Sequence, residues 1–196
     1  FMSKMLTLAV IFSVLTPAAR AHVYDIDSSH SQVAFKIRHL VGRVPGRFLQ
    51  FSGTISYEAG KPESWKVEAS IDPASINTDN EKRDSHLKGA DFFDTAKCAA
   101  MAFKSTKVTS IKDGTAKLHG ELTMHCVTKP VILDLELNGA GKDPWGGERA
   151  GFSARGKINR KDFGMVFNKT LDAGGLMLGE EVDITIDIEA VAKPRK

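Results

Sequence analysis

The sequence predicts an all-β chain with one short helix, its strands antiparallel and closed into a barrel or folded into a sandwich. Three observations carry this. Apolar and polar residues alternate with period two through most of the chain, as in Val33-Ala34-Phe35-Lys36-Ile37-Arg38 and in Val182-Asp183-Ile184-Thr185-Ile186-Asp187. Each such run is a strand with one apolar and one wet face. No helical stretch separates most of the runs, so neighbours pair antiparallel. Only one segment, residues 78–94, breaks the pattern. Eight or more amphipathic strands bury their apolar faces only as a barrel or a sandwich. The alternation does not choose between the two.

A leader comes first. Lys4 is followed by an apolar run over residues 6–15, then Pro17, then the small-x-small site Ala19-Arg20-Ala21. The run falls short of the roughly 20 residues that span a bilayer. A secretory signal peptide is therefore expected over residues 1–21, with a soluble periplasmic domain over residues 22–196. That remainder fits the roughly 100–200 residues of one domain. The whole chain carries a formal charge of +3. Lys4 and Arg20 belong to the leader, so the remainder is nearly neutral. It has no basic block, and nucleic acid is not an expected partner.

The strands follow in order over residues 23–26, 31–41, 49–57, 65–71, 101–110, 117–126, 131–137, 151–160 and 182–190. Asp113-Gly114 joins two of them as a tight hairpin. The stretch "HGELTMHCVTKPVILDLELNG" alternates as far as Cys126 and resumes after Pro130. In residues 78–94, Thr78 stands three before Glu81 as a capping box, and Gly89 supplies a stop. The helix of about ten residues is nearly all polar, with Leu87 its one large apolar residue. Such a helix covers an opening or an edge. Residues 138–150 and 161–181 read as long loops, the second rich in glycine, phenylalanine and methionine.

Cys98 and Cys126 stay open at this level. Centred on Asp113-Gly114, the hairpin sets Met101 against Cys126 and leaves Cys98 three residues beyond register. That is about 10 Å of strand, too far for a bridge unless a bulge or loop returns the chain. A disulfide and two buried thiols both fit.

Longer phrases narrow the reading. "SSHSQVAFKIRHL", "GRFLQFSGTISY", "ASIDPASINTDNEKRDSHLKGADFFD", "FKSTKV", "LHGELTMHCVTKPVILDLELNG", "GFSARGKINRKDFGM" and "GEEVDITIDIEA" occur in order from Ser28 to Ala190. Together they resemble the YceI-like family of periplasmic polyisoprenoid-binding proteins. The resemblance implies an antiparallel eight-stranded lipocalin-like β-barrel whose apolar tunnel holds an isoprenoid or similar lipid, with no catalytic constellation. Lys97-Cys98-Ala99 stands where the family commonly has Lys-Tyr-Pro, and Cys126 where it commonly has glycine. Both cysteines thus sit at departures from the family pattern, which favours the disulfide.

Inward parity then names the tunnel wall: Phe35, Ile37, Phe51, Ile55, Val67, Ile71, Phe103, Leu122, Met124, Leu133, Leu135, Phe152, Ile184 and Ile186. Phe92, Phe93, Phe163, Met165 and Phe167 are expected at the mouth. The plain alternative for all of them is ordinary core. His39 shares the apolar parity and meets either a structural partner or a head group. Arg83 and Arg160 are head-group candidates. Against this, Arg160 fits a turn clasp with Asp162, and Arg83 with Asp84 fits a clasp on Ala90-Asp91-Phe92-Phe93-Asp94. No metal is expected: His119 and His125 are too far apart along a strand, and His22 lacks a second histidine. No elbow, phosphate loop or metalloprotease motif occurs, so no enzyme activity and no cofactor are expected.

The expected function is an exported carrier for a long isoprenoid, of quinone or polyprenyl phosphate type. It would act as a monomer or homodimer in transient contact with a membrane or membrane protein. The rival readings are a packed barrel acting through a protein partner in stress, and a small hydrolase on the same scaffold.

Overall fold

A computed structural model describes residues 21–172 and 174–194. The expected leader lies outside them apart from Ala21. The elements in chain order are β1 (His22–Ile26), β2 (Gln32–His39), β3 (Gly42–Phe48), β4 (Phe51–Tyr57), β5 (Lys66–Ile71), β6 (Ile76–Asn77), α1 (Glu81–Lys88), β7 (Met101–Lys112), β8 (Thr115–Met124), β9 (Val127–Lys142), β10 (Glu148–Asn159) and β11 (Leu178–Ala192).

The strands form one antiparallel sheet that closes where β1 pairs with β11, giving an eight-stranded barrel. Short strands join end to end to make its lines. β1 and β2 both lie along β11, with Ile26 opposite Ala190 and Gln32 opposite Asp187. A single 3-10 turn, Ser28–His30, separates them. β3 and β4 return along β2 and β1, and β6 and β5 flank those in turn. β5 pairs with β7, whereas β6 pairs only with β3. The wall therefore opens between β6 and β7. α1 and the segment after it, with buried Phe92 and Phe93, cover that gap.

Four local expectations are corrected. Residues 42–48 form a strand that alternation hides, because Pro45 and two glycines interrupt it. Pro45 is tolerated because only Arg47 and Phe48 of β3 have partners on its outer edge. The helix cap is Asn80, whose side chain accepts from the Arg83 N–H at 2.9 Å, and not Thr78. α1 spans 8 residues and stops at Gly89 as expected. Residues 138–150 are mostly strand, since β9 reaches Lys142 and β10 starts at Glu148.

The fourth correction lies in the "TMHCVT" stretch. β8 ends at Met124, and His125 and Cys126 form a two-residue turn with φ of 51° and 58°. Thr123 then pairs with Thr128 and Met124 with Val127. The stretch is a hairpin instead of one continuing strand. The β7–β8 register also slips at two irregularities, after Ser105 and after Thr109. Turn and slip together bring Cys126 to Cys98, with a Cα–Cα separation of 5.4 Å and a disulfide between them. The bridge ties the gap-covering segment to the β8–β9 turn.

Buried side chains gather at the two ends of the barrel. One cluster holds Tyr24, Ile55, Tyr57, Trp65, Leu118, Leu133, Leu135 and Phe152. The other holds Phe48, Ile71, Ile76, Phe92, Phe93, Met101, Leu122, Met124, Phe163 and Met165.

Candidate functional site

The inward faces enclose a cavity of about 740 Å³ that runs along the barrel. Its floor is aromatic. Trp65 and Phe152 line it, and both meet Tyr57, which lies outside the lining, the three rings having centroids 5.1 to 5.8 Å apart in tilted and edge-on arrangements. The buried Trp65 indole N–H donates to the Glu58 carbonyl at 2.8 Å, so the floor leaves no indole donor pointing at an apolar chain.

The walls come from period-two alternation. Phe35, Ile37, Phe51, Ile55, Val67, Ile71, Phe103, Leu122, Met124, Leu133, Leu135, Phe152, Ile184 and Ile186 all line the cavity. Several of these inward residues, including Phe35, Ile37, Val67, Phe103, Ile184 and Ile186, are only half-buried although the wall around them is continuous. A filled core would bury them; here they face open space. At Gly46, opposite Phe35 in the register, a Cβ would overlap the Phe35 ring. The missing side chain lets that ring lie along the wall.

The mouth lies beneath α1. His39, Arg83, Phe92, Phe93, Arg160, Met165 and Phe167 line it. Phe163 does not. It is only 2 % exposed and packs behind the mouth, where its carbonyl accepts from His125 Nδ1 at 2.8 Å. The wall and mouth residues missed at the sequence level include three groups. Val33, Trp65, Leu118, Val131, Val182 and Ile188 share the inward parity and were legible by the same rule. Val44 and Phe48 sit on the hidden β3. Thr78, Asn80, Lys82, His86 and Lys169 at the mouth gave no periodic signal.

The mouth is polar and one-signed. Lys82, Arg83, Arg160 and Lys169 line it, and among the described residues no carboxylate lines the cavity. Arg160, 2 % exposed, opens the 3-10 turn that follows β10. Its Nε–H donates to the Gly179 carbonyl at 2.9 Å and Nη1 to the Met165 carbonyl at 2.5 Å. Its Nη2 is buried without a partner among the described residues. Burial pushes the guanidinium pKa down, and Glu180 pushes it back up; an arginine stays charged regardless. The turn clasp with Asp162 is thus not what holds Arg160; backbone carbonyls do. Arg83 likewise does not clasp the segment after the helix. It donates to Thr78 Oγ1 at 2.7 Å and the Thr78 carbonyl at 2.8 Å, while buried Asp84 accepts from the Thr78 N–H at 2.9 Å. These bonds fix the entry to α1. His86 pairs with Asp91 at 2.8 Å and lies edge-on to Phe92 and Phe167.

At the far end, Asp27, His30 and Glu189 bring ligand atoms within 4.8 Å of one another. Arg149 already fills that space, donating to Asp27, Glu189 and Asp143. The cluster is a clasp in which Arg149 of β10 ties Glu189 of β11 to Asp27 after β1.

Comparison with known proteins agrees with this geometry. The sequence model of the YceI-like domain matches residues 24–190. A UPF0312 protein of Pseudomonas savastanoi is 37% identical over 197 residues, covering 98% of this chain and 99% of its own. The YCEI protein of Campylobacter jejuni has a crystal structure that superposes with a TM-score of 0.71 at 34% identity, over 80% of this chain and 90% of the other. A polyisoprenoid-binding domain from Saccharophagus degradans superposes with a TM-score of 0.64 at 17% identity, over 87% of this chain and 98% of the other. At that identity the last likeness speaks for the fold alone.

Proposed function

The chain belongs to the YceI-like family, and from that premise we propose that it is a periplasmic carrier for an isoprenoid lipid with an anionic head group, of polyprenyl phosphate type. The observation that carries the reading is the pairing of a long apolar lumen with a carboxylate-free, cationic mouth. Apolar burial supplies the affinity and is indifferent to the head group. The mouth supplies the preference. Arg160 offers its unpartnered Nη2 amino group from a guanidinium already fixed by two carbonyls, and charge-assisted bonds to phosphate are among the stronger ones. A quinone oxygen could take the same donor, but it has no use for Lys82, Arg83 and Lys169. The S. degradans neighbour is described as polyisoprenoid-binding; it shares the fold, and the isoprenoid part of the proposal rests on the apolar lumen. The expected role is binding and transfer without catalysis. The leader expected over residues 1–21 from the sequence would direct the chain to an exported location.

The test is a titration with a prenyl phosphate and the prenol of equal chain length, read by native mass spectrometry. Binding of both, with the phosphate about tenfold tighter, is expected. Equal affinities would remove the head-group assignment, and no binding of either would remove the carrier reading.

A further inference from the structure

The rim around the mouth carries apolar side chains that the barrel does not use. β2 and β3 are joined by a two-residue turn, Leu40-Val41, where Val41 is fully exposed and Leu40 is 43% exposed. Leu40 has a φ of 51°. Glycine or asparagine is the ordinary choice for that backbone, so turn stability does not explain a leucine there. The neighbouring loop adds Val166, 64% exposed, and Leu176, 36% exposed. The two sides are tied together. The Arg38 guanidinium donates to the Leu40 and Leu176 carbonyls at 3.1 and 3.2 Å, and the Leu40 N–H to the Met177 carbonyl at 2.9 Å. Met177, Lys169 and His39 on these same segments line the cavity mouth. The apolar tips and the opening therefore share one rim.

That rim is also basic. Arg38, Lys82, Arg83 and Lys169 lie on it, against Glu81 and Asp172 and against Asp79 and Asp91, which pair with Arg47 and His86. Apolar tips among cations suit the interface of an anionic bilayer, where tips enter the head-group layer and cations meet lipid phosphates. The opposite end of the barrel differs. Its exposed Trp145, in the β9–β10 turn, stands between Asp143 and Glu148.

We propose that the rim of Leu40, Val41, Val166 and Leu176, with the flanking cations, seats on an anionic membrane surface and turns the mouth toward the leaflet. This rests on the reading of the cavity as a lipid site, because a docked mouth would pass an isoprenoid between leaflet and lumen without exposing it to water.

The experiment is flotation of the full protein with vesicles of phosphatidylethanolamine and phosphatidylglycerol, and with vesicles of phosphatidylcholine alone. Binding to the anionic vesicles that weakens as sodium chloride is added is expected. The variant L40G/V41S relieves the positive φ and removes the apolar tip, so it should fold, load farnesyl phosphate like the parent, and bind anionic vesicles about tenfold less. V166S/L176S should weaken binding in the same direction, and W145S should leave it unchanged. Absent binding, equal binding by L40G/V41S, or a loss confined to W145S would overturn the docking face. Farnesyl phosphate loading is scored separately by native mass spectrometry. A protein that fails to load but still floats through Leu40 and Val41 would condemn the cavity reading and leave the docking face standing.

Discussion

Replacing Ile184 with tryptophan separates an open lumen from a packed core. Ile184 sits midway along β11, opposite Gly156 and Phe35, half-buried and facing the cavity. It belongs to neither buried cluster. The cavity of about 740 Å³, at roughly 30 Å³ per heavy atom, holds about 25 heavy atoms. At about 0.3 kcal/mol per atom the enclosed chain is worth about 7 kcal/mol, a micromolar Kd. Tryptophan brings about six more side-chain heavy atoms than isoleucine and displaces about as many from the ligand. The loss is about 2 kcal/mol, or roughly 20- to 30-fold in affinity. The fold should be nearly unaffected, because the added bulk enters empty space. In a filled core the same change would cost typically 1–3 kcal/mol and lower Tm by roughly 2–4 °C per kcal/mol. Calorimetric titration with a prenyl phosphate of about 25 heavy atoms and a thermal melt read the two quantities. Unchanged affinity with a clearly lower Tm would refute the open lumen.

Arg160→Gln should abolish the preference for prenyl phosphate over prenol while both still bind. It should also cost about 1–3 kcal/mol of stability from the Gly179 and Met165 carbonyls left short of a donor; a preserved preference in the titration would contradict the head-group role. Removing the Cys98–Cys126 bridge, which closes a separation of 28 residues, by C98S/C126S should cost about 3 kcal/mol in denaturant unfolding, and an unchanged midpoint would count against it. Arg149→Met addresses acid stability. Hydrogen bonds from Ser29, then His30 and Arg149, hold the Asp27 carboxyl well below the usual carboxylate range. That stabilisation is complete above the unfolded pKa of about 4 and is lost as pH falls below it toward the folded value. The variant should therefore melt lower at neutral pH and lose less Tm on acidification below about pH 4; a parallel acid profile would show that Arg149 does not set the shift.

Much of the fold and wall could be read from residues because both follow from one rule. Where Phe35, Ile37, Leu133, Leu135, Ile184 and Ile186 alternate with charged or hydroxyl residues, face and strand are fixed together. The rule fails where the backbone departs from plain strand. β3 hides behind Gly42, Pro45 and Gly46, whose roles are an edge position and room for the Phe35 ring. The His125-Cys126 turn hides because a cysteine occupies a left-handed position that usually signals its turn with glycine or asparagine. Alternation could not tell lumen from core either, since an inward isoleucine looks the same facing space or facing a neighbour. The mouth was least legible. Lys82, His86 and Lys169 come from a helix and a loop far apart in sequence, and only the gap between β6 and β7 brings them over one opening.

The most direct measurement is native mass spectrometry of the protein isolated from its own cells without added lipid, followed by extraction and analysis of the bound species. One polyprenyl chain per protein is expected, depleted when Ile184 is replaced with tryptophan. A protein that always flies at its bare mass, yields no extractable isoprenoid, and gains no Tm from added prenyl phosphate would contradict a lipid-holding lumen.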